Sequence, residues 1–332
     1  MQNGISAHTE IIVKEACRRG IKATTMEDIN RNIAVLELNG HRELVCQSCS
    51  NKSGSVTYKI FSNKALAINM LEQLGFPVPA TLYTDDLNMI LRFLEKHRKI
   101  VIKPVCGVQG NGVTPNITTP GQVARAVKFA REQKSSAGER RVVCQEHVDG
   151  QEMRLLVLDK RIVYAVQRFA AGVASDGVSN VEQLIKSKND SAPAGRRVKL
   201  GEMVSEILSK QGLDLESVPE KGRQVVLAAA VNAHLGGTVV DITNTIGETI
   251  KSEAMRVAEL FDASVVGIDC ITPDIKSSIG RIIELNSAPD LTLHLQPTRG
   301  DKRNPARDIV DMLFPETVAD GFNLNGKTAD KS

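Results

Sequence analysis

The sequence predicts an α/β protein whose helices and antiparallel strands form separate α+β subdomains. Three observations carry this. Residues 265–271 and 281–285 are apolar, β-branched runs joined by a short polar connection. Residues 153–158 and 161–169 read as a hairpin over Asp159-Lys160. Helical patterns with their own caps and glycine or proline stops are interspersed with such strands. The chain has 332 residues, 42% of them hydrophobic, enough for a sizeable core in one large domain or a compact set of subdomains.

In order, residues 8–19 have helical apolar spacing ended by Gly20, and residues 33–38 and 43–46 flank an Asn39-Gly40 hairpin signal. Ser62 or Asn63 caps a helix that runs to Leu74 and stops at Gly75, Pro77 and Pro79. Residues 100–104 form a buried strand, Thr119-Pro120 starts a helix to about 133, and 142–144 is a further strand. Helices are expected at 181–186, 202–211, 248–260 and 304–313. Asp241 is expected in front of a short strand, and a loose tail after Pro315.

Charge and composition exclude several functions. The net charge is +3 with both signs interspersed, and aromatic residues make up 3%, so there is neither a basic groove nor a stacking platform for nucleic acid. No apolar run reaches membrane-spanning length and the N-terminus lacks a signal-peptide core, so a cytoplasmic enzyme or binding protein is expected. The six cysteines are scattered; Cys46 and Cys49 make one CxxC pair with no second pair at zinc-ribbon distance, and they read as reduced thiols.

The chemistry concentrates in three places. In the paired runs near the C-terminus, Glu284 and Asn286 share a strand face and Asp269 lies mid-strand in the partner. Adjacent carboxylates repel and lose hydration when buried, which a hard divalent cation such as Mg²⁺ resolves; an outward, solvated face would need no metal. Lys103 ends a buried strand just before a loop with glycines at 107, 110 and 112, and glycine loops admit phosphate oxygens to backbone N–H groups. The loop lacks a GK[ST] ending and an immediate helix, so it is neither a Walker loop nor a dinucleotide fingerprint, and a plain turn is the alternative. Lys64 stands in the first turn of a helix, where a cation is ill placed unless an anion is near. Arg154 and Arg168 suit a carboxylate or phosphate, or a surface ion pair.

Taken together, the segments SNKALAINMLEQLGFPVP, VIKPVCGVQGNGV, QEHVDGQEMRLLVLDKRIV, NAHLGGTVVDIT, VVGIDCITPD and IIELNSAPDLTLHLQP resemble the ATP-grasp superfamily, in the subgroup seen in cyanophycin synthetase, bifunctional glutathione synthetases and N-acetylglutaminylglutamine amide synthetase. The resemblance implies the ATP-grasp fold, with nucleotide held between two antiparallel-sheet subdomains. It implies a lead-in over 1–58 and an ATP-grasp domain over 59–316, split into a lid subdomain at about 98–165 and a metal-binding subdomain at about 166–316, then a tail over 317–332. It implies a carboxylate–amine ligase that forms an amide through an acyl phosphate and releases ADP and phosphate. The cofactors would be ATP and Mg²⁺ (or Mn²⁺), the substrates amino acids or short peptides, with no nucleic acid or membrane partner and with homodimerisation as a family trait.

By the same resemblance, Lys64, Lys103 and the loop carrying Gly107, Gly110 and Gly112 would hold ATP phosphates. Gln145, Glu146 and Val148 would form the adenine hinge, and Glu152 would hold the ribose. Asp269, Glu284 and Asn286 would bind Mg²⁺. Arg154 would face the substrate carboxylate, with Arg168 and Asn232 lining the same cleft. Where relatives carry a basic residue before the NxxxGG turn, this chain has Ala228-Ala229-Ala230, and NxxPG becomes Asn286-Ser287-Ala288-Pro289-Asp290. Those departures imply altered substrates, or an ATP-binding accessory or regulatory subunit whose ligase turnover is weak or lost.

Overall fold

The computed structural model describes residues 5–26, 28–106, 112–133, 138–192, 196–228 and 236–318. Gly107 and Gly110 of the glycine loop, Asn232, Ala229 and Ala230 lie outside the described residues.

Helix α1 (Ala7–Arg18) opens the chain beside a meander of β1 (Lys22–Thr25), β2 (Ile33–Leu38), β3 (His41–Cys46) and β4 (Cys49–Ser50). Asn39 and Gly40 turn β2 into β3 with φ of +49° and +85°, the positive values a two-residue hairpin turn requires. Helices α2 (Ser55–Phe61) and α3 (Lys64–Gln73) follow. The Asn63 side chain accepts from the Leu66 N–H at 3.1 Å, which fixes Lys64 as the first helical residue of α3.

Next, β5 (Thr81–Thr84), α4 (Leu87–His97), β6 (Ile100–Pro104), β7 (Thr114–Ile117), α5 (Pro120–Arg131) and β8 (Val142–Glu146) build an antiparallel sheet in the order β5-β8-β6-β7. Ile90, Leu94, Val123 and Val127 of the two helices pack on Ile100, Ile102 and Val142.

The central sheet comes from β9 (Gln151–Leu158), β10 (Ile162–Phe169), β13 (Thr238–Asp241), β14 (Val265–Thr272) and β15 (Arg281–Asn286), in the order β13-β10-β9-β14-β15 and antiparallel throughout. Between β10 and β13 lies a small layer of β11 (Gly172–Ala174), α6 (Val181–Ser191), α7 (Glu202–Ser209) and β12 (Gln224–Val226). Helices α8 (Glu248–Leu260), α9 (Thr292–Leu295) and α10 (Pro305–Leu313) follow, and a short 3₁₀ helix at Pro315–Thr317 stands where the loose tail was expected to begin. Two expectations are corrected. Asp241 closes a strand rather than preceding one. And because β9 pairs with β10 and β14, the break between the sheets falls between Glu146 and Gln151, well before residue 165.

Strand alternation gives the central sheet two different faces. Met153, Leu155, Val157, Val266 and Ile268 bury against α8, α3 and Phe61. On the opposite face, Leu156, Leu158 and Val265 share one core with Ile12 of α1, Leu36 and Val45 of the N-terminal meander, and Leu313 and Phe314. The N-terminal segment therefore packs on the central sheet rather than keeping a core to itself. The remainder of that second face is polar, and it carries the candidate site.

Candidate functional site

Register brings the polar residues together. Asp269 lies opposite Glu284 across β14/β15 and opposite Arg154 across β14/β9. Arg154 pairs with Val166, two residues from Arg168 on the same face of β10, and Asn286 pairs with Gly267. A bulge in β15 decides which side chains reach this face: the register shifts so that Cys270 opposes Ile282 and Ile283 is the extra residue. Ile282 and Leu285 then both enter the core while Glu284 stays on the polar face. Strict alternation would have placed Ile282 beside Glu284.

The two lysines meet this edge from different elements. Val105, one residue beyond β6, accepts from the Lys64 N–H at 3.3 Å, which ties the start of α3 to the strand that carries Lys103. Lys64 Nζ donates to Glu284 Oε1 at 2.6 Å, and Lys103 Nζ donates to the carbonyl of Ile283 at 3.1 Å, the bulged residue. Both lysines are buried. Burial, and then the neighbouring Lys64 charge, lower the Lys103 amine to about 8, against opposition from Glu284 and Asp269.

The arginines are not turned outward. Arg154, expected to face a substrate carboxylate, gives Nε and Nη2 to the two oxygens of Asp269, because register sets the buried opposite charges side by side. Arg168 Nη2 donates to Glu152 Oε1 and, at 2.9 Å, to Asp269 Oδ1. Burial, the largest influence on Asp269, favours its neutral form, but Arg154 and Arg168 outweigh it and hold the carboxyl at about 2. Burial raises Glu152, against the pull of Arg168.

The donor set fits a hard divalent cation. Asn286 Nδ2 donates to Asp269 Oδ2 at 3.2 Å, which commits the amide nitrogen and leaves its oxygen for a cation. Glu284 gives one oxygen to Lys64 and keeps a second. Two carboxylates and an amide oxygen at neighbouring register positions are a ligand set for Mg²⁺ rather than for a soft metal. Among the described residues no group of three or more His, Cys, Asp or Glu side chains is placed to hold a metal ion, so the candidate set depends on the Asn286 amide beside two carboxylates.

On the hinge side, Gln145 is buried in the sheet with Nε2 on Thr81 Oγ1 at 3.1 Å. The Glu146 N–H is spent on Ala80 O at 3.0 Å, so an adenine contact there would have to use the carbonyl. Gly112 has φ of +75°, and a Cβ there would stand 2.5 Å from Gln133 Cγ, so glycine is required where the loop rejoins the sheet. Sequence reasoning missed the turn between β3 and β4. Ser48 Oγ donates to Pro289 O at 2.7 Å and Cys49 Sγ to Ser287 O at 2.9 Å, so the N-terminal meander clamps the loop that follows Asn286. It also missed Arg196, a buried guanidinium on the carbonyls of Thr292 and Gln296, both at 2.7 Å.

Known proteins resemble this chain in sequence and in fold. The model of the prokaryotic glutathione synthetase ATP-grasp domain matches residues 67–218. Cyanophycin synthetase of Crocosphaera subtropica is 31% identical over 321 residues, 92% of this chain and 36% of that protein. The glutathione biosynthesis bifunctional protein GshAB of Clostridium perfringens is 28% identical over 324 residues, 92% of this chain and 41% of that one. The crystal structure of a bifunctional glutathione synthetase from Pasteurella multocida matches with a TM-score of 0.70 at 26% identity, covering 95% of this chain and 44% of that one. The chain carries an ATP-grasp domain in the ATP-grasp fold. Within that class its relatives are proteins named cyanophycin synthetase and bifunctional glutathione synthetase, of which it spans less than half the length. Among the described residues no helix is long and apolar enough to cross a membrane.

Proposed function

We propose that the chain is an ATP- and Mg²⁺-dependent carboxylate–amine ligase. It would activate the carboxylate of an amino acid or short peptide as an acyl phosphate, which an amine attacks to give an amide, ADP and phosphate. The observation that carries this is the convergence of Asp269, Glu284 and Asn286 with the buried cations Lys64 and Lys103. Phosphoryl transfer needs positioning and charge neutralisation more than a protein nucleophile. A bound Mg²⁺ would neutralise the triphosphate and orient its terminal group. Lys103 and Lys64 would hold phosphate oxygens beside the carboxylates. The 107–112 loop would close over them and keep water from the acyl phosphate. Glu152 would keep one oxygen for the ribose, since Arg168 occupies the other. The relatives' names support amide formation from small amino-acid or peptide substrates as the class of reaction.

The test is a panel of amino-acid and dipeptide pairs with ADP release as readout, run beside hydroxylamine trapping of the acyl phosphate. ADP formation that needs both a carboxylate and Mg²⁺, with a hydroxamate in the trapped sample, is the expected result. Nucleotide binding with no hydroxamate and no stimulation by any pair would replace the ligase with an ATP-binding accessory subunit.

A further inference from the structure

Asp269 has no acceptor position to spare. A carboxylate offers about four lone-pair sites. Here Oδ1 accepts from Arg154 Nε and from Arg168 Nη2, and Oδ2 accepts from Arg154 Nη2 and Asn286 Nδ2. A cation bound through Asp269, as the ligase reading requires, must take the place of one of these donors. They are not equally easy to remove. Arg154 holds both oxygens at once with a buried guanidinium. Asn286 belongs to the same ligand set as Asp269. Arg168 makes a single bond to Asp269 and keeps another to Glu152 from the same nitrogen. Its Nε is buried with no partner among the described residues. It alone has both a fallback carboxylate and an unused donor.

We propose that Arg168 and a divalent cation exchange at Asp269. Arg168 leaves the carboxylate when the cation is bound, and its freed N–H groups, with the unpaired Nε, then meet the anionic group of the substrate. The proposal rests on the ligase reading for its cation and its substrate, and deepens it by coupling the two. Before loading, Arg168 offsets the repulsion among Asp269, Glu152 and Glu284. After loading, the cation does so and Arg168 becomes an anion receptor. Because coupling between sites is reciprocal, metal and acidic substrate each tighten the other's binding, and a substrate carboxylate or phosphate binds well only after the metal.

The experiment measures Mn²⁺ binding to the full chain without nucleotide, from the loss of the free-ion electron paramagnetic resonance signal. Wild type is compared with Arg168→Met and Lys103→Met. Lys103 is a cation near the same carboxylates that touches the Ile283 carbonyl and not Asp269, so its variant reports removal of charge through space alone. Exchange requires Mn²⁺ to bind Arg168→Met on the order of tenfold more tightly than wild type, the worth of one charge-assisted hydrogen bond, and more tightly than Lys103→Met. Equal tightening in both variants, or weaker binding to Arg168→Met, overturns it. Should the methionine variant fail to fold, ¹⁵N spectra of the wild-type chain decide instead. The Arg168 Nε–H resonance, assigned by its loss in Arg168→Lys, must move as Mg²⁺ is added, and a resonance unmoved at saturation overturns the exchange. A parallel titration with a non-hydrolysable ATP analogue judges the ligase reading separately: failure to bind it would sink that reading while the Mn²⁺ comparison still decides the exchange.

Discussion

Lys103→Met should make the protein more stable and its nucleotide binding worse. Lys103 is buried and its amine is lowered to about 8 from an ordinary 10.5. Between those two pH values the unfolded chain holds a proton that the folded chain has released. Stability therefore rises with pH across that window, and below about 8 the folded state carries the full penalty of a buried ammonium. At roughly 1.4 kcal/mol per pH unit, a gap of about 2.5 units is worth about 3 kcal/mol at neutral pH. Methionine removes that penalty at similar length, but leaves the Ile283 carbonyl without its 3.1 Å donor, a loss of about 1 kcal/mol. The net is a gain of about 2 kcal/mol, which moves the midpoint of a domain this large upward by several degrees. Thermal melts at pH 7 in wild type and variant measure it, beside calorimetric titration with a Mg²⁺–nucleotide analogue. In wild type, nucleotide affinity should decline above about pH 8 as the amine loses its proton, and Lys103→Arg, charged throughout, should flatten that profile. A Lys103→Met protein that melts lower than wild type, or a wild-type affinity flat from pH 7 to 9.5, would refute the reasoning.

Glu284→Gln should abolish Mg²⁺-dependent ADP release while circular dichroism stays near native, because it removes a carboxylate from the cation set and the anion from Lys64; turnover near the wild-type rate would discard the cation assignment. Gly280→Ala should cost on the order of 2–3 kcal/mol in urea unfolding, since φ is +70° and a Cβ there would stand 2.0 Å from Ile271 O. His41 lies between Glu43 and Glu316, which raise its pKa through hydrogen bonds to the imidazolium. The stabilisation is complete below the unfolded value near 6.5 and is lost as pH rises through the raised one, so His41→Gln should remove part of the fall in melting temperature between pH 6 and 8.5, and an unchanged difference would exclude the tether.

The elements with local signals were legible in the sequence. Asn39-Gly40, Asn63 and Thr119-Pro120 each mark a boundary by a mechanism confined to a few residues, and the elements lie where those signals put them. The pairing of Asp269 with Glu284 followed from two long β-branched runs. What stayed hidden depends on tertiary context. The strands Thr81–Thr84 and Thr114–Ile117 are too short for a period to register. Helix α4, by contrast, carries a cap at Asp86 and helical apolar spacing at Leu87, Ile90, Leu91 and Leu94, and was legible although sequence reasoning missed it. The bulge at Ile283 has no local marker; it is imposed by having Ile282 and Leu285 both enter one core. For the site, residue types were readable and their partners were not. Nothing near Arg154 or Arg168 in the chain announces that both close on Asp269, which comes more than a hundred residues later.

The core shared by the first fifty residues and the central sheet limits how this protein can be cut. A chain started at residue 59 would bare Leu156, Leu158, Val265 and Phe314 to water and release the clamp of Ser48 and Cys49 on the 287–289 loop. Such a fragment would keep Lys64, Lys103, Asp269 and Glu284 and still be expected to aggregate, so the smallest portable unit of this chain must include the meander at its front.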